Sequence, residues 1–262
     1  MKKQTIVEIE NKLATILEDS DPFILEVEKD ERKVVQQRLA KWRRDRNQQR
    51  FLHDKFYEMN RYEEKYRAQG FQRIAGIDEV GRGPLAGPVV AAAVILPENF
   101  FLAGIDDSKK LTEKKREEFA EIIRNEALAL SIAMIHASEI DEINIYEATK
   151  KAMQSAIVTL PINPDFLLID AMKLETPYAS ESIIKGDAKS VSIAAASIVA
   201  KVTRDQLMKE ISLTYPDYGF IKNMGYGTKQ HLQAIQDYGI TPYHRKSFAP
   251  VKEFIAGNLF QI

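Results

Sequence analysis

Residues 76–88 read GIDEVGRGPLAGP, with two adjacent acids at the end of an apolar stretch and then glycines around one arginine. The apolar residues at 74–80 and 89–96 predict two strands, and so short a connection makes the pair antiparallel. Asp78 and Glu79 are neighbours on the first strand, and neighbours normally face opposite sides of a sheet. Both can reach one site only near the strand end, where the flanking glycines allow a local departure from regular geometry. The stretch therefore predicts an acidic site at the edge of a sheet.

Two further acids lie at the end of a predicted strand or just before a predicted helix. Asp170 closes the apolar run at 166–170, and Asp187 lies between two lysines ahead of a helix that begins near Ser190. Each acid also has an ordinary structural explanation, as a turn cap, a helix cap or a partner of the helix dipole. Taken together they favour one shared site, because open α/β sheets bind substrates at the carboxyl ends of their strands.

The residue types at these positions indicate a chemistry. Carboxylate oxygens are the hard ligands that Mg²⁺ prefers, and glycines let a backbone approach a sugar-phosphate chain closely. Two divalent ions about 4 Å apart can activate water and stabilise the leaving oxygen of an in-line displacement. Carboxylates from separate strands suit two such ions, whereas one adjacent pair would hold one. We therefore expect a metal-dependent site for phosphodiester hydrolysis.

From residue 73 onward the sequence alternates predicted strands and helices. The strands are predicted at 74–80, 89–96, 128–136, 166–170 and 182–185, and the helices at 112–127, 144–160 and 190–214. Three strands close in sequence, followed by two with longer connections, predict an α/β domain whose mixed sheet is covered by helices.

Composition excludes several classes of protein. The chain has 262 residues, a formal net charge of -1 and no cysteine. Without cysteine there can be no disulfide, thiolate zinc site or cysteine nucleophile. The N-terminus has no basic region followed by an apolar one, and no apolar run reaches the ~18 residues of a membrane span. We therefore expect a soluble, cytoplasmic protein with no membrane partner.

Residues 1–70 are predicted to form a separate unit of charged helices, ahead of a larger domain at 71–262. The stretch from 32 to 50 contains eight basic residues and one acidic residue, with Trp42 among them. One face of such a helix could lie along phosphates. Alternatively, the charges form a solvated helix face and Trp42 packs inward. The sequence leaves both interpretations open.

Several separated motifs carry a resemblance that runs from about Arg73 to Phe248. They are the opening stretch, Asp107-Ser108-Lys109-Lys110-Leu111, Ile169-Asp170, Lys185-Gly186-Asp187, the helix from Ala194 to Asp205, Gly225-Tyr226-Gly227-Thr228-Lys229, and His244-Arg245-Lys246-Ser247-Phe248. In this order they resemble the ribonuclease HII family. The resemblance implies the ribonuclease H fold, a mixed five-stranded sheet flanked by helices, here with a small all-α N-terminal unit and C-terminal helices.

The resemblance also implies roles for individual residues. Asp78, Glu79, Asp170 and Asp187 match the four catalytic carboxylates, which also bind the metal ions. Gly81, Arg82 and Gly83 match the loop whose backbone contacts the ribonucleotide 2′-hydroxyl, and Tyr226 matches the tyrosine that packs against the sugar. Lys109, Lys110, Lys185 and Arg204 are candidates for phosphate contact or for support of the site. Sensing of the 2′-hydroxyl would select the sugar without reading bases.

The implied reaction is metal-dependent cleavage of the RNA strand of RNA/DNA hybrids, and incision 5′ to single ribonucleotides embedded in duplex DNA. The products would be a 5′-phosphate and a 3′-hydroxyl, and the cofactors two Mg²⁺ or Mn²⁺ ions. The 2′-hydroxyl is sensed and need not attack, so no histidine pair is required. The four histidines are distant in sequence from the acidic motifs and are predicted to be structural or surface residues. A monomer is expected.

Other functions compete with this one. The long N-terminal segment is a feature of ribonuclease HIII, but that relative is not expected to carry Gly81-Arg82-Gly83, and its fourth carboxylate is typically Glu, not Asp. A hybrid-binding module without catalysis would lack an acid or the glycine loop, and both are present. A DNA endonuclease of the same broad fold would not need Arg82 between glycines or Tyr226, and it would cut all-DNA duplexes.

Overall fold

The computed structural model describes residues 4–257, which form two compact units. The division between the two units falls between residues 57 and 58. No helix in the described part of the chain combines the length and the apolar character that crossing a membrane requires.

The first unit is built from helices. They are α1 (Ile6–Thr15), α2 (Pro22–Val27) and α3 (Lys33–Met59). Thr5 caps α1 in a reciprocal capping box with Glu8, and Asp21 caps α2 ahead of a proline in its first turn. Their apolar faces form a small core that contains Ile9, Leu13, Ile16, Phe23, Ile24, Val27, Val35 and Leu39. The predicted helical character of this region is confirmed.

The basic stretch of α3 is largely engaged within the first unit. Trp42 is partly buried against the small core, as the packing alternative requires. Arg38 pairs with Glu10, Arg43 pairs with Glu28, and Arg46 donates to the carbonyl of Ile16. Contacts within the first unit therefore explain the presence of several of the basic residues of α3.

The second unit contains a five-stranded sheet and the remaining helices. The elements are α4 (Arg61–Arg67), β1 (Ile74–Val80), β2 (Val89–Ile95), α5 (Glu113–Glu126), β3 (Ala129–Ile135), α6 (Ala137–Val158), β4 (Phe166–Asp170), β5 (Ala179–Ile183), α7 (Val191–Thr214), α8 (Phe220–Asn223), α9 (Lys229–Tyr238) and α10 (Val251–Ile255). The strand order is β3-β2-β1-β4-β5, with β1, β2 and β3 antiparallel and β4 and β5 parallel to β1. The predicted mixed five-stranded sheet flanked by helices is confirmed.

The two faces of β1 have different partners. Ala75 and Ile77 belong to a core that also contains Ala152 and Met153 of α6. On the other face α7 lies directly against the strand, since a methyl group at Gly76 would come within 2.0 Å of the Ser192 carbonyl carbon. A larger residue at 76 would therefore separate the strand from the helix.

Two predicted elements differ from the structure. The last strand forms at 179–183 instead of 182–185, because this edge strand buries only Ile183 fully and its polar residues give little periodic signal. Helix α6 begins at Ala137 instead of 144, and it contains a break at Asn144, whose φ is 67°. The prediction detected only the portion after this break.

Helix α4 belongs to the second unit, although the sequence placed it in the N-terminal region. The ring of Tyr66 stacks on Phe166 of β4 with centroids 3.7 Å apart. Glu63 is fully buried and accepts hydrogen bonds from the Ser190 hydroxyl at 2.6 Å and the Ser192 N–H at 2.8 Å, at the start of α7. The compact division thus falls at residue 57, and a domain boundary at residue 70 stays a prediction.

Candidate active site

The ends of β1 and β4 bring three of the predicted acids together. The two strands run parallel with Ile77 opposite Ile169, and the residues that follow this pair are Asp78 and Asp170. Oxygens of Asp78, Glu79 and Asp170 lie within 4.8 Å of one another. The Glu79 N–H donates to Asp78 Oδ1 at 2.8 Å, which ties the two adjacent acids at the strand end.

Asp187 joins this group from the turn that precedes α7. It lies in a short 3₁₀ turn, Gly186–Ala188, and is buried. The Gly186 N–H donates to Asp170 Oδ1 at 2.6 Å, so the turn is attached to the end of β4. We call Asp78, Glu79, Asp170 and Asp187 the acidic site.

Burial raises the pKa of all four carboxyls, and repulsion from neighbouring acids adds to the effect. Burial is the largest cause at each one, and Asp170 contributes to the raised pKa of Asp78, Glu79 and Asp187. For Asp170 itself, burial outweighs the lowering effect of the Gly186 N–H. Like charges held close in a poorly solvated place favour either protonation or a bound cation. The donor set, which consists of hard carboxylate oxygens, fits a divalent ion such as Mg²⁺ or Mn²⁺.

Two buried arginines hold the segment between β1 and β2, residues 81–88, which we call the glycine loop. Arg245 donates to the carbonyls of Gly81 at 2.5 Å, Arg82 at 2.9 Å and Gly87 at 2.8 Å. Arg204 donates to the carbonyls of Ala86, Pro88 and Met224 at 2.9–3.0 Å. The side chains of both arginines are at most 1% exposed. Together they fix the course of the loop.

Glycine is required where the loop begins. Gly81 has a φ of 92°, and a methyl group there would lie 2.3 Å from Arg204 Nε. Arg82 and Gly83, which follow, are exposed. The Arg82 guanidinium lies 3.6 Å from Glu79 Oε1, so the loop and the acidic site are adjacent.

Tyr226 lies beside the same loop. A methyl group at Gly83 would be 3.5 Å from Tyr226 Cε1, and the tyrosine side chain is half exposed. The Leu85 N–H donates to the Gly225 carbonyl at 2.8 Å, which joins the tyrosine segment to the loop. The structure thus brings Gly81, Arg82, Gly83 and Tyr226 together next to the acids.

The comparisons with known proteins agree with this arrangement. The family model described as Ribonuclease HII matches residues 75–251, and the model described as Ribonuclease HII N-terminal domain matches residues 5–67. The chain belongs to the ribonuclease HII family. It is therefore a ribonuclease H, an endoribonuclease that acts on RNA/DNA.

Individual relatives of the ribonuclease HII family cover nearly the whole chain. The chain is 55% identical to a ribonuclease HII of Bacillus cereus over 97% of its length and 99% of the relative's. It is 54% identical to a ribonuclease HII of Bacillus cytotoxicus over 99% of its length and all of the relative's. Among solved structures, ribonuclease H2 from Pyrococcus horikoshii OT3 is 25% identical with a TM-score of 0.62, covering 71% of this chain and 98% of that one.

The lysines predicted to contact phosphate or support the site have different environments. Burial alone would lower the pKa of Lys109, but the nearby carboxylates of Asp107, Asp187, Asp78 and Asp170 raise it, which indicates that its ammonium lies close to the acidic site. Lys110 is exposed and pairs with Asp106 at 3.2 Å. Lys185 is exposed at the start of the Asp187 turn, with a φ of 57°.

The predicted phosphate contact of Arg204 does not fit its position. All of its recorded bonds go to backbone carbonyls, and its side chain is buried, so no face is left for a phosphate. The alternative role, support of the site, fits the geometry. The sequence could not separate the two roles. Arg204 donates to the carbonyl of Pro88, which is 116 positions away in the chain, and so distant a contact leaves no local signal.

The structure adds residues that the sequence analysis did not select. Burial is the main cause of the raised pKa of Asp187, and Asp107 raises it further through repulsion and a side-chain hydrogen bond. The Ser197 hydroxyl donates a hydrogen bond to Asp78. Arg245 was quoted as part of a motif but given no role. The sequence could have indicated Asp107, because an acid two positions before a predicted site lysine is a natural partner for that lysine.

Proposed function

We propose that this member of the ribonuclease HII family cleaves the RNA strand of RNA/DNA hybrids and incises duplex DNA on the 5′ side of a single embedded ribonucleotide. The products are a 5′-phosphate and a 3′-hydroxyl. The observation that carries the proposal is that four buried or half-buried acids lie next to an arginine-held glycine loop, which exposes Arg82 and Gly83. The acidic site suits the hydrolysis of a phosphodiester, and the glycine loop suits the recognition of a sugar.

Asp78, Glu79, Asp170 and Asp187 would hold the cations, with Mg²⁺ or Mn²⁺ as candidates. Two such ions supply an activated water and stabilise the leaving oxygen in phosphodiester hydrolysis. The residues contribute position and charge: the Glu79 N–H and the Ser197 hydroxyl orient Asp78, and the Gly186 N–H orients Asp170. Lys109, among the same acids, offers a positive charge toward a substrate phosphate.

The direction of the loop peptides supports recognition of the 2′-hydroxyl. In a planar trans peptide the N–H points opposite to the C=O. The carbonyls of Gly81 and Arg82 point inward to Arg245, so the N–H groups of Arg82 and Gly83 point away from it. Neither N–H donates to a backbone carbonyl within the described residues. They are free donors for a sugar hydroxyl, which is what distinguishes RNA from DNA.

Tyr226 supports the same proposal. Its half-exposed ring adjoins Gly83, so a ribose whose hydroxyl meets the loop would have the ring as a packing surface. An aromatic face packs against a sugar without reading the base. Selection would therefore depend on the sugar at the junction and not on sequence.

Cleavage of matched duplexes tests the proposal. The substrates are DNA duplexes with one ribonucleotide, the same sequence in DNA alone, and an RNA/DNA hybrid, each with Mg²⁺, Mn²⁺ or chelator. Metal-dependent incision 5′ to the ribonucleotide, with the DNA control intact, is the expected result. Equal cutting of all-DNA would refute sugar sensing, and tight binding without incision would indicate a module that binds but does not cleave.

A further inference from the structure

Two buried histidines lie behind Tyr226, outside the acidic site. His231 Nε2 and His244 Nε2 are 2.9 Å apart, and the side chains are 0% and 1% exposed. His231 Nδ1 lies 2.9 Å from the Tyr226 carbonyl oxygen, and the Thr241 N–H donates to His244 Nδ1 at 2.9 Å. We call His231 and His244 the histidine pair.

The neighbours of the histidine pair determine where its protons lie. The Thr241 N–H can only donate, so His244 Nδ1 accepts and His244 Nε2 carries the hydrogen. The Tyr226 carbonyl can only accept, so the hydrogen of His231 lies on Nδ1 and His231 Nε2 is an acceptor. His244 Nε2–H therefore donates to His231 Nε2. Every bond in the row has one donor and one acceptor when both rings are neutral.

The surroundings of the pair keep it neutral. The ring of Phe220 lies 5.1 Å from His231 and the ring of Tyr218 5.3 Å from His244, centroid to centroid. Burial lowers the pKa of both histidines, and burial together with the adjacent His231 brings the pKa of His244 to about 4. A proton on either ring would place two N–H groups face to face.

The chain of hydrogen bonds that runs from Thr241 through His244 and His231 ends at the carbonyl of Tyr226. That oxygen also accepts from the Thr228 N–H at 2.8 Å, so the backbone after the tyrosine ring has two fixed donors. Before the ring, the Gly225 carbonyl is held by the Leu85 N–H of the glycine loop. The exposed ring is thus attached to a backbone that is held on both sides.

We propose that His231 and His244 are positioning residues for Tyr226, which hold its ring beside the glycine loop at the distance that a ribose requires. Apolar side chains of similar volume would fill the same space among Phe220 and Tyr218. What they would not supply is the N–H that reaches the Tyr226 carbonyl. The inference rests on the proposed function, because it takes Tyr226 as the residue that contacts the sugar.

Two substitutions at one position separate positioning from packing. In His231→Asn the side-chain amide can occupy the place of Nδ1 and donate to the Tyr226 carbonyl, whereas in His231→Gln the amide reaches toward His244 and leaves that carbonyl without its donor. With the full chain and a duplex containing one ribonucleotide, we expect His231→Gln to raise KM about tenfold, as loss of one buried hydrogen bond implies. His231→Asn should restore KM toward that of the parent at a similar unfolding temperature.

A second pair of variants covers the case in which His231→Gln does not fold. His244→Gln keeps an amide donor facing His231 Nε2, and His244→Leu removes it. We expect the KM of His244→Leu to exceed that of His244→Gln severalfold, with kcat less affected. Equal KM values in folded proteins, or KM values that follow the unfolding temperature alone, would overturn the positioning role.

A double-mutant cycle with Tyr226→Ala identifies the route of the effect. If His231 acts through the tyrosine, His231→Gln adds no further increase in KM once the ring is absent. Additive effects would overturn the inference while leaving the proposed function intact. A Tyr226→Ala variant with normal KM would overturn both the sugar contact of Tyr226 and the inference. A parent protein that cuts ribonucleotide-containing and all-DNA duplexes equally would instead refute the proposed function.

Discussion

The two units of the molecule arrange their charges in opposite ways. In the first unit, arginines of α3 face acids at close range, as in the pairs Arg38–Glu10 and Arg43–Glu28. In the second unit, four acids are concentrated at the ends of β1 and β4 and in the turn before α7, and burial and repulsion raise their pKa values. Matched surface pairs contribute little beyond local packing. Concentrated like charge costs stability, and it is retained where a bound cation makes use of it.

The largest expected effect comes from removing one member of the concentrated set. Asp78→Asn should reduce turnover at least about 1,000-fold, because an amide is a poor ligand for a divalent ion while its shape is nearly unchanged. Binding of a hybrid duplex should persist. Single-turnover cleavage and a binding titration measure the two quantities.

The matched control for Asp78→Asn is Glu139→Gln. Glu139 is an acid of the same unit that is paired, with its carboxylate on Lys151. Its turnover should stay within about twofold of the parent, as for most surface pairs. Equal losses in the two variants, or full turnover in Asp78→Asn, would contradict the distinction between paired and concentrated charge.

A second prediction concerns Glu63, a buried acid that has no cation partner among residues 4–257. Glu63→Ala should lower the free energy of unfolding by about 1–3 kcal/mol, because the buried Ser190 hydroxyl and Ser192 N–H lose their acceptor. Denaturant titration measures the change. Glu64→Ala, a neighbouring position on α4 whose side chain is exposed, is the control. No loss in Glu63→Ala would show that α4 adds little to the second unit and would favour a boundary at residue 70.

A third prediction follows from the direction of the pKa shift at Asp78. Burial raises the pKa of this carboxyl in the folded state, so its contribution to stability is present below the ordinary Asp pKa and is lost as pH rises through the folded value. In chelator at neutral pH, Asp78→Asn should therefore raise the free energy of unfolding by about 1–2 kcal/mol. The gain should disappear in acid.

Added Mn²⁺ provides the reverse test of the third prediction. A cation held by the acids stabilises the folded protein by mass action, and it should stabilise the parent more than Asp78→Asn. Thermal unfolding with and without the ion measures both shifts. An Asp78→Asn protein that is less stable than the parent in chelator would show that the carboxylate is not strained by its surroundings.

The smallest expected effect lies in the first unit. Arg44 is exposed on α3 and forms no ion pair within residues 4–257, whereas Arg38 pairs with Glu10. If the unpaired Arg44 contacts a substrate phosphate, Arg44→Ala should reduce the slope of log affinity for a hybrid duplex against log salt concentration by about 0.9, the value for one lost phosphate contact. Arg38→Ala should leave the slope unchanged. Identical slopes for both variants and the parent would favour packing as the only role of the basic stretch.

Local patterns in the sequence were enough to predict most of the sheet. The hairpin of β1 and β2, and the placement of Asp78 and Asp170 at strand ends, follow from apolar runs that stop at acids. The bounds of the edge strand β5 were displaced because its polar residues obscure periodicity, and the first part of α6 was missed because of the break at Asn144. Strand order was available only through family resemblance.

Long-range contacts of buried polar residues were beyond local patterns. Arg204 and Arg245 appear in the sequence as ordinary cations, and nothing nearby reveals that each holds a loop more than 100 positions away. The histidine pair, His231 and His244, likewise becomes visible only when α9 and the segment after it are packed together. The acids could be predicted as a group, but the residues that orient the site could not.

The attachment of the glycine loop to Arg245 has a consequence for the growing polypeptide. The Arg245 guanidinium and the carbonyl of Arg82 are 163 positions apart, whereas the last of the four acids, Asp187, is already synthesised 58 positions before the arginine. A nascent or prematurely ended chain therefore contains all four residues proposed to hold metal ions before it contains the arginine that shapes the proposed sugar-sensing loop. Under the proposed function, the groups for cleavage are synthesised before the group that supports discrimination, and a product ending just before residue 245 would lack the latter alone among these residues.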